Sequence, residues 1–260
     1  MVDGVAVDHR CGMDLAEYRA AARTEATRLA AAAERAGPDA TVPTVPGWRV
    51  ADLVHHVGGL VRGLTTLLET GERRPPEAAD VAEWFAATVA ADELVGWYGD
   101  VRARLDAAFA AADPAAELFT FLPTDAAVRF WARRDAHEIA IHRMDVELAG
   151  GAAVTPVAPS FAVDGIAELV AFLAARARPV SQAATVLAVH ASDTGDAWLL
   201  AVDDGGVRPA VPGTAADTTV RARADDLYAL LWNRRTPDGL DVTGDGAALT
   251  CWRTSARWEF

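Results

Sequence analysis

The chain has 260 residues, more than the roughly 100–150 of a common single domain, so two domains are expected, each large enough to bury a core. Its hydrophobic fraction of 52% and charged fraction of 23% are those of an ordinary globular protein, and no run approaches the roughly 20 apolar residues that a membrane helix needs. A formal charge of −13, with every basic side chain an arginine and none gathered into a stripe, repels a phosphate backbone and excludes nucleic acid as a partner.

Met1 to Met13 carries neither a basic cluster nor an apolar core, so it reads as a short disordered tail and not as a secretory signal. Cys11 and Cys251 form no C-x-x-C pair, which argues against a disulfide framework or a thiolate metal site and fits a reducing cytoplasm. Leu15 to Ala36 is rich in Ala, Glu and Arg with helical apolar spacing, and Gly37-Pro38 ends it. A second helix is expected from Val50 to Glu69. A third region runs from Ala78 to Ala112 with an interruption near Gly96 and Gly99, and a fourth helix from Thr124 to Leu148. Four helices with Gly/Pro connections predict a bundle over residues 14–150.

Gly150 to Ser160 reads as a linker into a second domain, 151–260. A helix from Phe161 to Arg178 leads it. Strands follow at Thr185 to Ala191, Ala197 to Asp203 and Thr218 to Ala222, then a helix from Ala224 to Arg235, a short strand at Leu240 to Thr243 and a terminal helical stretch. The whole predicts an α+β protein, a four-helix bundle followed by a small mixed domain.

On a wheel of about 100° per residue, the second helix shows one broad apolar face, with His56 on its edge beside Leu60 and Leu67 and His55 on the polar side. A lone histidine there can equally be a core residue bonded to a carbonyl. Gly59 and Gly63 follow on the same strip, where missing side chains leave room either for a bound cofactor or for close helix packing. The fourth helix aligns Glu138, His142 and Asp145 at i, i+4 and i+7, with Arg134 one turn earlier. Phe130, Ile141, Met144 and Leu148 flank this strip on one side, and Val128, Ile139 and Val146 on the other. Arg133, Ala140, Arg143 and Glu147 then read as the solvated face.

A polar strip between apolar stripes points inward, where a charge needs a partner or a metal. His137-Glu138 resembles the start of H-E-x-x-H, but the second histidine arrives one position late. Glu138 and His142 therefore form the usable pair, and His56 is the best-oriented third ligand. Two histidines and one carboxylate leave an open position on a tetrahedral ion such as zinc, as in catalytic sites. Asp52 and Asp145, one turn from His56 and His142, are candidates to accept the other ring N–H of each.

The stretches Pro46-Gly47-Trp48-Arg49-Val50-Ala51-Asp52-Leu53-Val54-His55-His56-Val57-Gly58 and Trp131 to Asp145 resemble the mycothiol-dependent maleylpyruvate isomerase family, within the DinB-like superfamily of metal-binding four-helix bundles. Asp225-Asp226-Leu227 through Leu231-Trp232-Asn233-Arg234 resembles its C-terminal domain more weakly. The resemblance implies metal binding by His56, Glu138 and His142, and a catalytic arginine placed at Arg234, with Arg235, Arg221 and Arg223 as competitors. It also implies mycothiol as cosubstrate, its thiol activated by a divalent metal to attack a small electrophile. Thiol transfer is the reading preferred here. Maleylpyruvate isomerisation comes second, with Arg134 and Arg234 able to meet two substrate carboxylates. A metal that merely staples the bundle of a ligand-binding protein comes third. A monomer or homodimer working on small molecules is expected.

Overall fold

The computed structural model describes residues 12–87, 89–176 and 184–255. The expected tail, with His9 and Cys11, lies outside them except for Gly12 and Met13. The chain divides into two compact units, one of residues 13–155 and one from Pro156 onward.

In the first unit, α1 (Leu15–Ala36) opens on a reciprocal cap: Glu17 N–H donates to Asp14 Oδ1 at 2.8 Å, and Asp14 N–H to Glu17 Oε2 at 2.7 Å. Next come α2 (Val50–Thr70), α3 (Ala78–Phe85), α4 (Leu94–Ala111) and α5 (Ala127–Ala149). Gly71, at φ 67°, takes the left-handed conformation that ends α2. The four long helices form the bundle, with α1 packed along α5 and α2 against α4 and α5. Leu29, Leu53, Leu105 and Ile139 are fully buried between them.

Two expectations are corrected. The third helical region breaks at residues 86–93, and Gly96 and Gly99 lie inside α4. Phe85 and Trp97 fill the space beside Gly59 and Gly58, adjacent residues of α2. One continuous helix would hold those two aromatic residues about 18 Å apart along its axis, so the chain must turn between them. The supposed solvated face of α5 is also covered, because α1 packs along it. Ala140 and Arg143 are wholly buried and Glu147 nearly so. The Arg143 guanidinium donates to Glu25 at 2.8 Å, to Glu147 at 2.6 Å and to the Thr155 carbonyl at 2.7 Å. That pairing offsets the cost of burying a charge.

The second unit begins with α6 (Pro159–Arg176); residues 177 and 178 of the expected helix lie outside the described residues. A five-stranded sheet follows, β1 (Thr185–Ala191), β2 (Ala197–Asp203), β3 (Gly206–Pro209), β4 (Thr218–Ala222) and β5 (Asp241–Gly244), in the order β3-β2-β1-β4-β5. Only the β1/β4 pair is parallel, with Val189 opposite Val220. β3, four residues long, is not among the strands expected from the sequence, β5 begins one residue later than expected, and α7 (Ala224–Leu231) ends four residues sooner. Asn233 adopts φ 61°, Asn233 N–H donates to the Leu230 carbonyl at 3.0 Å and Arg234 N–H to Ala229 at 2.7 Å. This paired cap stops the helix. α8 (Ala247–Ser255) buries Trp252, whose Nε1–H donates to the Leu231 carbonyl at 2.9 Å. The α+β class expected from the sequence is the one observed.

Candidate metal centre

α2 supplies His56, and α5 supplies Glu138 and His142 from successive turns of one strip. One ligand atom from each of the three lies within 4.8 Å of the other two. His142 is buried, whereas His56 and Glu138 are half-buried.

Each ring nitrogen of His142 faces a carboxylate. Nδ1 lies 3.0 Å from Asp145 Oδ2, and Nε2 lies 3.1 Å from Glu138 Oε1. An ionised carboxylate only accepts, so Asp145 holds the proton on Nδ1. The structure thus brings Asp145 and the His142 ring together, as the sequence spacing expects. The hydroxyl of Thr44, a loop residue the sequence reading passed over, donates to the other Asp145 oxygen. Arg134 donates to Glu138 Oε2, so the guanidinium expected to bind a cofactor holds a candidate ligand in place.

Burial works against the imidazolium of His142, but hydrogen bonds to Asp145 and Glu138 outweigh it and raise its pKa. For Glu138, burial pushes upward, yet the Arg134 cation and the two histidines hold the carboxyl well below the usual range. His56 moves the other way: burial first, then the neighbouring His142, push it down to about 4 against the opposing pull of Glu138. It is therefore neutral at physiological pH, the form that ligates.

Three sequence-predicted residues sit otherwise than expected. Asp52 is exposed and accepts the Arg49 backbone N–H at 2.8 Å, capping its own helix and not the ring of His56. Gly59 and Gly63 leave no space for a cofactor. A Cβ at Gly59 would lie 2.3 Å from Phe85 Cδ1, and one at Gly63 2.4 Å from Trp84 Cε3. Close packing is what these glycines permit, and it seats Phe85 flat against His56 at 5.7 Å between centroids. Trp48 meets the same ring edge-on at 5.1 Å. Trp48 precedes α2, where no helical period marks a residue for such a contact. A cleft of about 480 Å³ opens at this point, lined by Gly47, Trp48, Asp52, His55, His56 and Phe85. In the second unit, the Arg234 guanidinium donates to the Trp232 carbonyl at 2.7 Å, and Arg235 pairs with Asp226.

The donor set fits a divalent first-row ion. Ligand atoms about 2.0–2.2 Å from a tetrahedral ion stand about 3.4 Å from one another, close to the 3.1 Å edge between His142 and Glu138. Proton or metal, a cation is favoured on that edge.

Fold and site together define a two-unit α+β protein whose helical bundle brings two imidazoles and a carboxylate to one point. The Mycothiol maleylpyruvate isomerase N-terminal domain matches residues 19–147, and the MDMPI C-terminal domain matches residues 160–250. The chain belongs to the mycothiol-dependent maleylpyruvate isomerase family. Among solved structures it is similar to a mycothiol-dependent maleylpyruvate isomerase at 19% identity and TM-score 0.68, covering 89% of this chain and 93% of that one. A histidine-to-alanine mutant of such an enzyme matches at 18% identity with the same TM-score and coverage. At that identity the likeness shows a shared fold. No curated protein matches the chain. Among the described residues no helix is long and apolar enough to cross a membrane.

Proposed function

We propose that the chain is a mycothiol-dependent cytoplasmic enzyme, holding a divalent metal, zinc foremost, through His56, Glu138 and His142. The observation that carries this reading is the convergence of those three ligand atoms within 4.8 Å beside an open cleft. Bound there, a divalent cation lowers the pKa of a thiol from about 8.5, so that a thiolate exists at neutral pH. The chain's own residues prepare the place. Asp145 and Thr44 orient His142, Arg134 orients Glu138, burial keeps His56 neutral, and Trp48 and Phe85 shield its ring. Residues 13–155 contain no cysteine, which supports a thiol supplied by the cosubstrate.

Asp145 is engaged by Thr44 and His142 and stays outside the ligand set. Three ligands favour catalysis over stapling, because a structural site closes with four. The names of the family and of both solved relatives move the preference from thiol transfer to isomerisation. The thiolate would add to an activated cis double bond, the resulting single bond would rotate, and the thiolate would leave. Arg234 is proposed as the arginine that meets a substrate carboxylate.

The test is mass spectrometry and absorbance of the protein incubated with mycothiol and maleylpyruvate. The trans product should form without net consumption of mycothiol. An accumulating thioether adduct would mean transfer instead, and inertness toward this and other electrophiles would overturn the thiol reading.

A further inference from the structure

α3 is held to the bundle by little more than two aromatic rings. None of its eight residues is buried, and it packs chiefly on α2. Trp84 rests in the notch left by Gly63 and Phe85 in that left by Gly59, with Phe85 still 40% exposed. Among the described residues one hydrogen bond joins α3 to another helix, from the Arg62 guanidinium to the Trp84 carbonyl at 2.8 Å. Arg74, Pro75 and Glu77 before α3 and residues 90–93 after it are exposed. The incoming loop is pinned only as far as Arg73, where Arg73 pairs with Glu117 and the Phe119 N–H donates to the Glu72 carbonyl at 2.9 Å.

What α3 covers is His56. The Phe85 ring lies only 22° from parallel to that imidazole, so nothing can approach this face of His56 while Phe85 is seated. We propose that α3 is a lid over His56 that detaches as one unit when Trp84 and Phe85 leave their notches. The two rings are adjacent in sequence and their notches are one turn apart on α2, so neither travels far without the other. A helix of eight residues is too short to persist alone in water, so detachment also unprotects its backbone amides as a local opening. Such a segment admits solutes when open and excludes water when closed. The inference goes beyond the function proposed above and does not depend on which cosubstrate is used.

The test pairs hydrogen–deuterium exchange of the full-length protein with labelling of His56 by diethyl pyrocarbonate after chelator treatment, both read by mass spectrometry. Chelation keeps any bound ion from masking the ring, and His190, in β1 of the second unit, is the internal standard. The α3 amides should exchange together, about 100-fold faster than those in the middle of α2. Trp84→Ala should raise the α3 exchange rate and the His56-to-His190 labelling ratio by the same factor, about tenfold, because both report the open fraction. Arg62→Met removes the donor to the Trp84 carbonyl and should raise both about threefold. It carries the test alone if Trp84→Ala does not fold. Exchange of α3 at the pace of α2, or an unchanged labelling ratio in the folded variants, would overturn the lid. Absence of metal from the purified protein would overturn the metal reading and leave this test intact.

Discussion

His142 meets a carboxylate at each ring nitrogen, and the two contacts differ in kind. Glu138 is a fellow ligand candidate, whereas Asp145, fixed by the Thr44 hydroxyl, sets the tautomer and the direction in which Nε2 points. Removing such an outer partner typically costs 10- to 100-fold in metal affinity or activity. Asp145→Asn should therefore weaken metal binding by about that factor without unfolding the bundle, as followed by competition with a chromophoric chelator; parental affinity would reduce Asp145 to a structural acceptor. His56, Glu138, His142 and Asp145 were legible in the sequence because helical periodicity alone places them on inward strips. Thr44 was not, because it lies in an irregular loop where no period applies, and it reaches α5 across 101 residues of chain. The role of Asp52 was misread for a related reason: a carboxylate in the first turn of a helix can turn back to its own N-terminus as readily as toward the next turn.

The glycines of α2 and α4 show how the same residue type serves opposite purposes. Gly58, Gly59 and Gly63 each stand where a Cβ would run into Trp97, Phe85 or Trp84. Gly96 and Gly99 face open space on the exposed side of α4. Overpacking costs typically about 1–3 kcal/mol, whereas alanine is worth about 0.5–1 kcal/mol over glycine in a helix interior. Gly59→Ala should accordingly lower stability by about 1–3 kcal/mol, while Gly96→Ala and Gly99→Ala should each raise it by up to about 1 kcal/mol. Denaturant unfolding of the three variants checks this, and stabilisation by Gly59→Ala would mean that Phe85 has somewhere else to go. The extents of α1 and α2 were readable from caps and apolar spacing. The break between α3 and α4 was not, because it is imposed by where their aromatic rings land on α2. The buried Arg143 face was hidden likewise, since nothing local to α5 says that α1 covers it.

At the scale of the whole molecule, the candidate residues divide between the two units. The bundle contains all three ligand candidates together with Asp145, Thr44 and Arg134, and the second unit contains Arg234. Periodicity distinguished the two, helical before Gly150 and strand-rich after Ser160, but β3 was too short to show a pattern. Arg234 separates two roles by experiment. If its role is structural, as the bond to the Trp232 carbonyl at the end of α7 suggests, Arg234→Ala should lower stability and leave turnover alone. The proposed catalytic role predicts at least a tenfold loss of rate with metal content retained. Elemental analysis of the purified protein tests the triad of His56, Glu138 and His142 most directly. About one equivalent of a divalent metal should be present in the parent and in His55→Ala, and absent from His56→Ala and His142→Ala. Full metal in both of the latter variants would contradict it.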